Sequence, residues 1–208
     1  MMPVLSFLSS PAGRWMRAIV GVVLIVIGAL LGGLGWLLAA VGLVFVLVNT
    51  NSVPTALAVP LRVFGVVAFL VVLIAVRRRG PATDTRAAGG GFGRGYWLVV
   101  AAEVLAIWIG LALLNGPLHT PHAAVAWISS VVGVHFFALA VVWWIRLFSW
   151  LGAALLACGV VGLVLVAAGS DAGAIDLVGG VLPGAILLGF GLWGSTRASA
   201  DRSRKPVS

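Results

Sequence analysis

Apolar positions along this chain follow neither the one-sided stripe of a surface helix nor the alternation of a half-buried strand. They gather into long runs that are apolar all round and end at clusters of Gly, Pro, Asn or Arg. The first run covers residues 18–48 and is broken only by glycines, and the second covers 54–76. Four more follow at 96–114, 123–145, 150–168 and 175–193. About 20 apolar residues, rising about 1.5 Å each, are what a helix needs to cross a hydrocarbon core of about 30 Å. Membrane strands would alternate apolar and polar residues, so the pattern predicts an all-α, polytopic transmembrane helical bundle.

Polar segments set the organisation. Residues 80–95 are rich in Gly and Arg and read as a flexible linker between an N-terminal membrane unit (18–79) and a four-helix unit (96–195). A short segment (1–17) precedes the first unit and a basic tail (196–208) follows the second. Links inside the four-helix unit are short, which makes consecutive helices antiparallel neighbours. The run 18–48 is the difficult one, because as one helix it would be about 46 Å long. Two readings follow. It is one tilted, kinked or protruding helix, giving six spans, or a hairpin turning at Gly32-Gly33-Leu34-Gly35, giving seven spans with arms of about 21 Å.

Charge favours six spans. With residues 1–17, 80–95 and the tail inside, 12 of the 13 basic residues share one side, as positive-inside bias requires. Arg62 is the exception and is expected to snorkel to the opposite surface. The expected location is a bacterial cytoplasmic membrane. Arg14 and Arg17 ahead of the first run resemble the start of a signal peptide, but the apolar run is about twice too long, so the segment reads as retained. Tyr96, Trp97, Trp143, Trp144, Trp150 and Trp193 fall at expected cytoplasmic ends, and Trp127 at the expected outer interface.

Composition agrees. Of 208 residues 62% are hydrophobic and 9% charged, with a mean hydropathy of +1.20, which excludes a soluble domain and makes the lipid bilayer the first partner. The net charge of +8 lies between apolar runs and not on a folded basic face, so no nucleic-acid partner is expected. Cys158 stands alone in an apolar run, excluding an intrachain disulfide or a cysteine metal site.

Two ionisable side chains fall well inside expected spans, Glu103 and His135. Such residues are functional candidates because burying charge in lipid costs several kcal/mol. Counted from the cytoplasmic ends of their helices they lie about 10 and 15 Å deep, on antiparallel neighbours. A Glu and a His so placed form either a clasp fixing helix packing or a proton or cation relay. Ser129 and Ser130 would extend a polar path from His135, or bond back to their own helix. His119 and His122 lack further ligands, so no metal is expected. Glycines four apart at Gly28/Gly32 and Gly180/Gly184 would allow close helix approach, and Pro183 would kink the last helix. No phosphate loop, H-E-x-x-H, G-x-S-x-G or paired hydrolytic carboxylate is present, so neither a catalytic residue nor a cofactor is expected.

Glu103 within Tyr96-Trp97-Leu98-Val99-Val100-Ala101-Ala102-Glu103, followed by Val132-Gly133-Val134-His135-Phe136-Phe137, resembles small uncharacterised multi-pass membrane proteins of GC-rich bacteria. The resemblance covers roughly 96–193 and implies a four-helix unit without assigned activity. The expected function is a non-enzymatic structural or partner-interacting membrane protein, as a homo-oligomer or with a partner membrane protein. The alternative is a small transporter or proton-coupled permease using Glu103 and His135.

Overall fold

The computed structural model describes residues 33–78 and 93–202. Its helices are α1 (Gly33–Asn49), α2 (Thr55–Arg77), α3 (Arg94–Asn115), α4 (Ala124–Trp143) and α5 (Arg146–Ala167), followed by one mixed span. That last span joins α6 (Ala172–Asp176), a π-helical segment (Leu177–Val181) and α7 (Leu182–Arg202). No strand occurs among the described residues. Five spans are long and apolar enough to cross a membrane, and the described part of α1 adds a sixth apolar helix of 17 residues. The chain is an all-α polytopic transmembrane bundle.

Residues 18–32 and most of the 80–95 linker lie outside the described residues, and so does the choice between one long first helix and a hairpin. Two boundaries differ from the sequence reading. α5 starts at Arg146 instead of residue 150, because Phe148 is buried against Phe136 and Trp143. Only Trp144 and Ile145 remain to turn the chain, and Trp144 does so with φ +56°, a left-handed conformation usually left to glycine. The last helix continues to Arg202, into the segment read as tail.

Helix ends are closed by local chemistry. At the end of α1, Asn49 Nδ2 donates to Phe45 O, Thr50 Oγ1 to Leu47 O and Asn51 Nδ2 to Val48 O, so three side chains satisfy carbonyls that lipid could not. Arg62 reaches back from α2 to the same loop, donating from Nε to Thr50 Oγ1 at 2.7 Å and from a terminal nitrogen to Asn51 Oδ1 at 3.0 Å. This is how the one cation inside α2 is accommodated. α5 is closed just past its end by Gly169, whose φ of +70° lets Gly169 N donate to Val166 O and Ser170 N to Leu165 O.

Packing rests on two antiparallel helix pairs, α1 with α7 and α4 with α5. A methyl group added to Gly42 would fall 2.6 Å from Gly184 O, and one added to Gly133 would fall 2.5 Å from Leu156 N and 2.9 Å from Gly152 O. Backbones therefore meet directly, which is how helices gain dispersion contacts where lipid tails offer no hydrophobic contrast. Leu38, Phe136, Leu139, Phe148, Leu151, Leu155 and Leu187 form a buried cluster drawn from both pairs. The α1–α7 contact thus ties the N-terminal helices directly to the four-helix unit. α2 packs on α1 and α7 through Val72 and Val46, while α3 lies at the edge against α4.

Gly133→Ala should lower unfolding free energy by about 1–3 kcal/mol, because the obstructing atoms are backbone. Gly189 has no atom within 4 Å of an added methyl. Gly189→Ala should be neutral, or stabilising by up to about 1 kcal/mol. Denaturant titration of both variants in one micelle system checks the pair, and equal losses would contradict backbone contact at Gly133.

Candidate functional site

α3 is mostly exposed, so what holds it is informative. Three contacts run along its seam with α4. Tyr96 stacks on Trp143 with ring centroids 5.6 Å apart and planes 12° from parallel. Glu103 Oε2 lies 3.0 Å from His135 Nδ1. Trp127 Nε1 donates to Ala106 O at 3.1 Å, with its ring over Gly110, where an added methyl would fall within 2 Å of the ring. Tyr96, Glu103 and Gly110 recur every seven residues, and their partners Trp143, His135 and Trp127 every eight, so all three pairs share one antiparallel register.

The central pair is nearly buried, with the His135 side chain 11% and the Glu103 side chain 20% accessible. The distance is that of a hydrogen bond, but Nδ1 has no aligned hydrogen-bond partner, so the carboxylate oxygen sits off the line of the ring N–H. The contact is a close polar approach with room to tighten. A cleft lined by Val71, Ile74, Ala75 and Arg78 and another near His122 both lie away from it.

Ser129 and Ser130 do not join this pair. Both are buried, but they face α5 and the last span, whereas His135 faces α3. Ser130 Oγ donates to Ala126 O at 2.9 Å, one turn back on its own helix. Ser129 Oγ donates across to Gly179 O. Pro183, four residues beyond that carbonyl, has no N–H to donate, which in an α-helical register would leave Gly179 O without one. The π-helical segment Leu177–Val181 ends two residues before Pro183, and Ser129 gives Gly179 O a side-chain donor. The Pro183 kink expected from sequence is thus a π-helical insertion held by a neighbouring helix.

The remaining candidates stay apart. His119, with φ +50°, and the exposed His122 sit in the α3–α4 connection. Among the described residues no group of three or more His, Cys, Asp or Glu side chains could hold a metal ion. Cys158 is a buried free thiol in α5. Trp127, expected at the outer interface, turns inward onto α3. Sequence reasoning missed Gly110 and the two aromatic partners, although the seven-residue spacing of Tyr96, Glu103 and Gly110 was visible.

If Ser129 serves the carbonyl that Pro183 leaves free, the two residues are coupled. Ser129→Ala should cost about 1 kcal/mol in the parent chain and clearly less in a Pro183→Ala background, where the substituted residue restores a backbone N–H donor. A double-mutant cycle by denaturant titration measures this, and equal costs in both backgrounds would break the link. Comparison with known protein families, with curated proteins and with solved structures finds no match to this chain.

Proposed function

We propose that this chain is a non-enzymatic protein of a bacterial cytoplasmic membrane that acts by packing helices, with a second copy or a partner membrane protein, and that Glu103 and His135 clasp α3 in position. The supporting observation is the 3.0 Å contact midway along a seam of three matched pairs. A helix that buries little surface cannot be held by area alone, and an interhelical polar contact contributes about 1 kcal/mol and fixes register. The outward face of α3 carries Leu98, Leu105 and Trp108, all more than half exposed, as the surface on which another membrane helix would pack. Orientation follows from charge: Arg77, Arg94, Arg146 and Arg202 share one end of the bundle, read as cytoplasmic, and Asp171 lies at the other.

A second reading, a proton-coupled permease, is favoured by the off-axis Nδ1 and the partial exposure of Glu103. An imidazole and a carboxyl that are close but unaligned can exchange a proton as the hydrogen bond forms.

The readings separate in liposomes. Under the clasp reading, purified protein passes no more protons or solute than empty liposomes. Glu103→Leu lowers stability by about 1 kcal/mol and reduces disulfide trapping between cysteines placed at Gly95 and Val142, where an added Cβ on Gly95 lies 3.7 Å from the Val142 side chain, while Glu103→Gln, which keeps hydrogen-bonding atoms, changes both less. Flux above background that Glu103→Gln abolishes would replace the clasp with the permease.

A further inference from the structure

At the end of the bundle that carries the α1–α2 loop, a cleft of about 380 Å³ opens between α1, the start of α4 and α6. Its floor is apolar, formed by Phe45, Val125 and Ile128, and its rim is polar, formed by Asn49, His122 and Asp176. The volume is that of a site for one small organic molecule.

The rim carries one acidic side chain, Asp176. The half-buried Asp176 carboxylate accepts a hydrogen bond from the Ser52 side chain and has no cation within ion-pair distance among the described residues. Arg62, which reaches the α1–α2 loop, is committed to Thr50 and Asn51. Asn49 spends an amide N–H on Phe45 O and keeps its carbonyl oxygen as an acceptor. The exposed His122 adds an imidazole ring to the rim.

An anion would meet the carboxylate. A neutral amphiphile would leave it without a counter-charge in a half-desolvated site. An inorganic cation would leave the apolar floor uncovered and would lack three ionisable ligands. What matches both parts is a cation on an apolar body. We propose that this cleft binds a single-chain organic ammonium, with the nitrogen on Asp176 and the rim acceptors and the chain on Phe45, Val125 and Ile128. A two-chain lipid exceeds the cleft, and a single-chain amphiphile is concentrated at this depth by the bilayer itself.

The test uses the full chain in phosphatidylcholine nanodiscs, with octylammonium, octanol and octanoate as probes in equilibrium dialysis and empty discs subtracted. One saturable octylammonium site per chain is expected, at least about ten-fold tighter than octanol. Asp176→Asn should bring octylammonium to the level of octanol, and Val125→Trp, which fills the floor, should abolish saturable binding of both. Phosphatidylethanolamine added to the discs should leave octylammonium binding unchanged. Equal affinity for amine and alcohol, preference for octanoate, saturable binding that survives Val125→Trp, or displacement by phosphatidylethanolamine would each overturn the proposal. Val125→Trp keeps the test decisive if Asp176→Asn fails to fold.

Discussion

Inside a bilayer, burying an apolar side chain between helices gains little over leaving it in lipid, so a bundle this apolar cannot be specified by hydrophobicity. The specifying contact is backbone against backbone. Gly42 meets Gly184 and Gly133 meets Gly152 at distances that admit no side chain, and each fixes an antiparallel pair in depth and rotation. The larger buried residues, Leu151, Leu155 and Leu187 among them, fill space whose shape those contacts have already set.

α3 is the exception that clarifies the rule. It has a single close approach, at Gly110, and there it meets the Trp127 ring and not a helix backbone. Its contacts with α4 include an aromatic stack, a carboxyl–imidazole approach and an indole hydrogen bond, one per two turns. A helix attached by discrete pairs can be released or shifted at lower cost than one interlocked along its backbone. The same economy governs the last span, where Ser129 on another helix donates to Gly179 O, four residues before Pro183.

Element positions were legible from the apolar runs, since lipid demands helices of one length. Boundaries were read less well where a side chain overrode composition: Phe148 pulls Arg146–Ser149 into α5 because its ring has an aromatic pocket to fill. Partner choice was almost illegible. Glycines seven apart at Gly35/Gly42, Gly184/Gly191 and Gly152/Gly159 mark the interfaces, but spacing alone does not say which helix faces which. The pair Glu103 and His135 could be placed at similar depth by counting residues. The polarity of Ser129 pointed the wrong way, because its partner is the backbone carbonyl of Gly179, far along the chain.

The pairing of α1 with α7 also sets an order for assembly in the membrane. α1 emerges from the ribosome long before α7, and the glycine face it offers at Gly35 and Gly42 has its partner only in α7, after four intervening spans. Until then α1 must wait in lipid with that face covered by acyl chains, by α2 or by the insertion machinery. Pairing of α1 with α7 is therefore a closing step between helices far apart in the chain, and interrupted synthesis leaves a helix whose packing surface is already formed and still vacant.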